Sequence, residues 1–137
     1  MFPETEEEFL EALRGDDPTL AATAEAMLWR TWCRSGNSEA DRIFRAGVDA
    51  MQQSRLEAAE NEFTRVIDIA PDFAEGWNKR ATVLFLAGDL KRSLADCDQV
   101  MKRNPNHFGA LAGYGQIYFQ LEQYEKAISY WKRALNA

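Results

Sequence analysis

The sequence predicts an all-α fold, a solenoid of repeated helix pairs. Three consecutive stretches of the 137-residue chain follow one period of 34 residues, so Ala40 and Ala74, and likewise Pro71 and Pro105, hold equivalent positions. Within each stretch, apolar residues recur at the helical spacing of about 3.6 residues on both sides of a short turn. The alternation typical of strands does not occur. A period of this length is typical of helical solenoids.

The period divides the chain into an N-terminal extension and three repeat units. The extension covers residues 1–39, and units one, two and three cover 40–73, 74–107 and 108–137. Each unit is predicted to contain two helices, over the ranges 40–53, 56–69, 74–87, 90–103, 108–121 and 124–136. In unit two, Gly88 follows the first helix and Pro105 follows the second, and both residue types commonly end helices.

The extension is predicted to form a helical pair. Thr5 begins a capping box for a helix over 5–14. Asp17-Pro18 is typical of the start of a second helix, which runs to about Arg34. We expect this pair to cap the exposed side of unit one, because terminal repeats need a solvated outer face. The alternatives are a helix that binds a partner and a helix that folds back into the groove of the solenoid.

The composition is that of a globular, acidic chain. Hydrophobic residues make up 46% and charged residues 28%, which argues against disorder. A net charge of −6 does not match the clustered cations that phosphate binding needs, so we expect no nucleic-acid partner. Residues 1–73 carry −9 and residues 74–137 carry +3. This asymmetry reflects solvated helix faces or, alternatively, orients a partner or a second copy.

The sequence contains no predicted targeting or membrane segment. No apolar run approaches the ~20 residues that span a bilayer, and the acidic N-terminus lacks the apolar region of a secretory signal. We therefore expect no membrane span and a soluble protein, with the cytoplasm favoured. The plastid or the periplasm is the alternative if a targeting segment has been removed.

The three units share a pattern of small and large residues. In unit two the pattern positions hold Trp77, Arg80, Ala81, Leu84, Ser93, Cys97, Val100 and Pro105; in unit one, Ile43, Ala46, Gly47, Ala50, Ala59, Phe63, Val66 and Pro71; in unit three, Leu111, Tyr114, Gly115, Tyr118, Ala127, Trp131 and Ala134. On these residues the chain resembles the tetratricopeptide repeat family, over three repeats. The resemblance implies a right-handed α-solenoid of helix-turn-helix repeats, in which the first helix of each unit lines a concave groove.

The resemblance also implies which residues face the groove. They are Phe44, Arg45, Val48, Met51, Asn78, Lys79, Thr82, Phe85, Leu86, Gly109, Ala112, Gly113, Gln116, Phe119 and Gln120, with Asp41, Gln52 and Glu75 at further positions of the same kind. Apolar anchors mixed with amides and two cations suit an extended peptide or an amphipathic helix of another protein. The alternative is that the apolar members pack against neighbouring helices.

One binding mode of the family is tested residue by residue. Members that bind the C-terminal tails of Hsp70 or Hsp90 hold the terminal carboxylate with Lys, Asn and Arg at five groove positions. Here these positions hold Phe44, Val48, Lys79, Gly109 and Gly113. Because only one of them is cationic, we expect no Hsp70 or Hsp90 tail as partner.

No catalytic residue, cofactor site or metal site is predicted. His107 stands in the turn before unit three, where a turn or helix-start role fits best. Gly109, Gly113 and Gly115 are in the wrong order for a dinucleotide-binding loop, and no strand precedes them. Cys33 and Cys97 are predicted to be packed and inert. A solvent-facing Cys97 beside a cleft is the feature that would instead indicate an enzyme.

Two features do not fit a plain solenoid. Gly113 lies within a helix, where glycine is unfavourable, and predicts the close approach of another backbone. Ile128, Trp131 and Leu135 form an apolar stripe on the last helix, a candidate oligomer interface. The sequence thus predicts a non-catalytic scaffold or adaptor module that binds a partner segment in its groove. The alternative is an assembly protein that acts mainly through homo-oligomerisation, for example as a homodimer.

Overall fold

The computed structural model of the protein describes residues 14–15, 18–32 and 34–136, without the side chains of Trp29 and Thr31. Three predictions lie outside these residues. They are the capping box that begins at Thr5, the helix start at Asp17 and the packing of Cys33.

The described residues form seven helices and no strand. In chain order they are α1 Pro18–Trp32, α2 Ser38–Gln52, α3 Leu56–Ile69, α4 Ala74–Leu86, α5 Leu90–Arg103, α6 Phe108–Gln120 and α7 Tyr124–Asn136. The pairs α2–α3, α4–α5 and α6–α7 pack as helix-turn-helix units, and successive units stack through α3 on α4 and α5 on α6. The all-α solenoid predicted from the sequence is confirmed. No helix in the described ranges has the length and apolarity needed to cross a membrane.

The turn inside each unit uses one left-handed residue. Ser54, Gly88 and Glu122 lie one period apart, with φ angles of 58°, 85° and 60°. Each of them follows the first helix of its unit and reverses the chain towards the second helix. The first helices therefore end one residue earlier than predicted. Helix α2 begins two residues earlier, because the side chain of Asn37 accepts the Ala40 amide and caps it.

Close approach of the two helices depends on a small residue opposite a large one. The ring of Phe63 in α3 is fully buried and lies directly over Gly47 of α2. In unit three Trp131 covers Gly115 in the same way. In both units the large ring occupies the space that glycine leaves between the helices, as the repeat pattern predicts.

Helix α1 contacts the junction of units two and three, at His107 and Phe108. Its Trp32 ring stacks on His107, with ring centroids 4.6 Å apart. The outer face of α2, at Arg42, Ala46 and Asp49, stays exposed. The extension before α1 lies almost wholly outside the described residues, so the capping of unit one and the alternative, a helix folded back into the groove, both stay predictions.

Candidate binding groove

The predicted groove residues divide into two groups by burial. Thr82, Leu86, Gln116 and Gln120, in the second halves of α4 and α6, are exposed; we call this the open end of the groove. Glu75, Asn78 and Lys79 at the start of α4, with His107 just before α6, are buried or half-buried; we call this the covered end. The open end is the exposed part of the predicted groove.

Unit one contributes little to the groove. Phe44 is buried and packs edge-on against Phe63 and Phe73, with centroid distances of 5.7 and 5.4 Å. Phe44 does not line the groove as predicted, because its ring completes the core of unit one. Val48 and Met51 are half-buried against the same core, while Arg45 is exposed.

A cavity of about 110 Å³ lies between α4, α5 and α6. It brings together seven of the predicted groove residues: Asn78, Thr82, Phe85, Gly109, Ala112, Gly113 and Gln116. Four further lining residues were not predicted, namely Ala81, Ser93, Cys97 and Ile117. The prediction considered only first-helix positions. The small Ser93 and Cys97 on α5, opposite Gly113, are the sequence signal that points to this cavity.

Gly113 and Cys97 form one side of the cavity. A Cβ atom on Gly113 would lie 3.5 Å from Cys97 Sγ, an ordinary contact distance, so glycine leaves space that a larger side chain would occupy. Burial, together with the nearby charges of Asp96 and Asp98, raises the pKa of the Cys97 thiol to about 12. The thiol is therefore protonated at neutral pH and acts as an apolar wall. Cys97 is not the solvent-facing, reactive thiol that would indicate an enzyme.

A buried histidine–glutamate pair forms the covered end. The side chain of His107 caps α6, because its Nδ1 accepts the Ala110 amide at 3.0 Å. An amide can only donate, so Nε2 carries the ring proton and donates to Glu75 Oε2 at 2.6 Å. Both side chains are fully buried. The helix-start role predicted for His107 is confirmed.

Asn78 and Lys79, two residues predicted to contact a partner, interact with the Glu75 carboxylate. Asn78 Nδ2 donates to Glu75 Oε1 at 3.1 Å, and Lys79 Nζ lies 3.9 Å from the same oxygen. These groups compensate the buried carboxylate, as a buried charge requires. The Glu75–His107 pair was not predicted from the sequence, because Glu75 lies at the start of α4 and His107 lies 32 residues later, just before α6.

The apolar stripe on α7 is divided by its packing. Ile128 and Leu135 are 48% and 83% exposed. Trp131 is half-buried over Gly115 and also contacts Phe119, at a centroid distance of 5.9 Å. Phe119 is half exposed and packs against Tyr124 as well. The exposed members of the stripe are therefore the aliphatic Ile128 and Leu135, and Trp131 belongs mainly to the interior of unit three.

Known families and relatives match most of the chain. Two family models, both described as Tetratricopeptide repeat, match residues 44–101 and 84–137. A TPR repeat-containing protein of Rhizobium etli is 30% identical over 128 residues, which are 93% of this chain and 63% of the relative. The chain thus spans less than two thirds of that relative's length.

Solved structures share the same fold. The TPR2B domain of yeast Sti1, solved as a complex with pHsp70, has a TM-score of 0.69 and 22% identity, over 72% of this chain and 78% of that chain. MamA has a TM-score of 0.66 and 19% identity, over 97% of this chain and 78% of that chain. The helix pairs, their period and these matches agree, and the chain belongs to the tetratricopeptide repeat family.

Proposed function

We propose that the chain is a non-catalytic interaction module that binds a segment of another protein, as an extended peptide or a helix, at the open end of the groove. The observation that carries this proposal is the cavity between α4, α5 and α6. Its walls at Phe85, Cys97 and Ile117 are apolar, and the exposed Thr82 and Gln116 stand at its edge. Ligand sites typically combine apolar walls with a few polar groups in this way.

The size of the cavity limits what enters it. An apolar cavity of about 150 Å³ holds a benzene molecule, so about 110 Å³ suits one small aliphatic side chain of the partner. Gln116 and Thr82 then bond backbone groups of the partner beside that side chain. Gly109 and Gly113 let the partner's backbone approach α6 closely.

We further propose that the C-terminal tails of chaperones are not the partner. The solved complex of the Sti1 domain contains pHsp70, but in this chain the five clamp positions hold one cation, Lys79. Lys79 is directed at Glu75, and Phe44 at another clamp position is buried in the core. A terminal carboxylate therefore finds no cluster of free donors at these positions.

The test is a selection of random peptides on the immobilised chain, followed by affinity measurement by fluorescence anisotropy. Gly113→Leu fills the cavity and should weaken binding of a selected peptide by about tenfold or more, since a buried anchor contributes at least ~1.4 kcal/mol. Ala95→Leu is the matched control, because Ala95 is exposed on α5 and does not line the cavity. Equal affinities for wild type and Gly113→Leu would contradict the proposal.

A second candidate function is self-assembly through α7. The observation that favours it is the exposure of Tyr124, Ile128 and Leu135. Light scattering over a range of concentrations tests it, with Leu135→Asp as the variant that should restore a monomer. Changes at Lys79 and Phe85 should leave self-association intact. A monomeric wild type at high concentration would remove this candidate.

A further inference from the structure

Helix α1 rests on the covered end of the groove through the side chain of Trp32. The Trp32 ring stacks on the His107 imidazole, with an interplanar angle of 21°, and packs against Phe108 at a centroid distance of 5.2 Å. Leu28 and Ala24, one and two turns earlier on the same face of α1, are fully buried. Helix α1 thus has an apolar stripe that ends in an aromatic residue.

A short connection holds the C-terminal end of α1 close to the first repeat unit. The amide and the hydroxyl of Ser35 both donate to Asp41 Oδ1, at 3.0 and 2.6 Å. Two residues separate this anchor from Trp32. Helix α1 therefore stays near the groove even when its own contacts are broken, and its local concentration there is high.

The contact made by Trp32 is separate from the cores of the repeats. The cores around Phe63 and Cys97 contain no residue of α1 within the described ranges. An open cleft of about 610 Å³ borders Trp32 and Arg34, between the turns at 70–73 and 104–106. Because of this cleft, α1 has room to leave the groove without unpacking a repeat.

The surface beneath Trp32 is formed by the rings of His107 and Phe108. It becomes polar beyond His107, where the Glu75 carboxylate bonds to the imidazole and is itself contacted by Asn78 and Lys79. An aromatic ring suits this site as an occupant. It covers the face of the His107 imidazole, and both ring nitrogens keep their hydrogen bonds.

We propose that α1 is a displaceable occupant of the covered end, and that a helix of a partner protein takes its place. The stripe of α1 defines that partner helix: a small residue, a leucine and an aromatic residue at successive intervals of four, like Ala24, Leu28 and Trp32. The aromatic ring of the partner stacks on His107. This inference extends the groove proposed above, but its test uses the chain's own helix and is decided separately from the peptide selection.

The test uses the fact that His107 is the single histidine of the chain. The carbon-bound ring protons of His107, followed by NMR, report whether an aromatic ring stacks on this imidazole, because the ring current of a stacked indole shifts them. In wild type both signals should show this shift, since the Trp32 ring lies on the imidazole. In the full chain carrying Trp32→Ala the shift should be lost. Trp77→Ala is the matched control and should leave the shift as in wild type, since the Trp77 ring packs against Arg80 and Arg103.

A second arm adds the occupant back. A synthetic peptide of residues 18–34, with Cys33→Ser, is added in excess to the Trp32→Ala chain and should restore the ring-current shift of His107. The same peptide with alanine in place of Trp32 should not. If Trp32→Ala leaves the His107 signals as in wild type, or if both peptides act alike, α1 is not a displaceable occupant.

Hydrogen exchange on the wild-type chain decides the matter if Trp32→Ala fails to fold. The buried amides of α1 should exchange at least about tenfold faster than those of α4 and α5, because α1 opens on its own. Equal rates in all three helices would overturn the proposal.

Discussion

Gly47 lies so close beneath Phe63 that a Cβ atom on it would stand 2.6 Å from Phe63 Cε1. Only glycine fits under that ring. The same relationship joins Gly115 to Trp131, and in unit two the pair is Ala81 and the smaller Cys97. In each unit a small residue on the first helix faces a larger residue on the second helix. The distance between the two helices depends on the combined volume of this pair.

The first prediction concerns the helix spacing. Gly47→Ala should lower the free energy of unfolding by about 1–3 kcal/mol, because the added methyl overpacks the core against Phe63. Urea unfolding measures the change. Gly113→Ala is the matched control: its Cβ has an ordinary contact, so the better helix propensity of alanine should raise stability by about 0.5–1 kcal/mol. Equal effects at the two sites would contradict this view of the core.

The second prediction concerns the turns. Ser54 and Glu122 adopt left-handed φ angles that cost a non-glycine residue about 1–2 kcal/mol. Ser54→Gly and Glu122→Gly should therefore each stabilise the chain by about 1 kcal/mol, and Gly88→Ala should destabilise it by a similar amount. Thermal unfolding of the three variants decides the sign. Destabilisation by both glycine substitutions would be inconsistent with the turn geometry.

The third prediction concerns the ion pair between α4 and α5. Arg80 donates from Nε and Nη2 to the two carboxylate oxygens of Asp96, both at 2.8 Å, and the Asp96 side chain is 5% exposed. The hydrogen bond with Asp96 raises the pKa of Arg80, so its charge is stabilised in the folded chain.

Asp96→Ala should therefore cost about 3–5 kcal/mol, because it leaves the Arg80 charge without its partner. Glu62→Ala breaks an exposed pair with Arg65 and should cost less than about 1 kcal/mol. Denaturant unfolding measures both. Similar small losses for the two variants would mean that the inter-helix pair adds no stability.

The fourth prediction concerns pH. The pKa of Cys97 rises from its ordinary 9.0 to about 12 in the folded chain. Above pH 9 the unfolded thiol loses its proton while the folded thiol keeps it, so the unfolded state binds fewer protons and stability falls as the pH rises. Below pH 9 this contribution is constant.

The measurement compares the wild-type thiol with Cys97→Ala, both in a Cys33→Ser background, by urea unfolding between about pH 8 and 11. The stability difference between the two chains should be flat up to about pH 9 and should then move against the thiol-containing chain. A difference that stays flat over the whole range would show that burial does not shift this thiol.

The repeat period predicts the helices well because it reflects local packing that recurs. The starts at Leu56, Ala74, Leu90, Phe108 and Tyr124 match the predicted starts. The extension has no repeat partner, so its sequence pattern alone does not predict that Trp32 contacts His107 and Phe108.

The groove was predicted only in part. Phe44 satisfies the groove pattern, yet three aromatic rings converge in the core of unit one and remove it from the surface. Glu75 and His107 stand at the two ends of unit two, 32 residues apart in the chain, and meet because α6 packs near α4. Contacts of this kind depend on how the first helices of successive units pack, which no single-unit pattern contains.

The central claim is that a partner segment enters the cavity beside Gly113. Chemical-shift mapping on the isotope-labelled chain, titrated with a selected peptide, tests it most directly. The account predicts the largest shifts at the amides of Thr82, Gly109, Gly113 and Gln116. Shifts confined to Ile128, Leu135 and their neighbours on α7 would contradict it, because they would place the partner on the exposed face of the last helix.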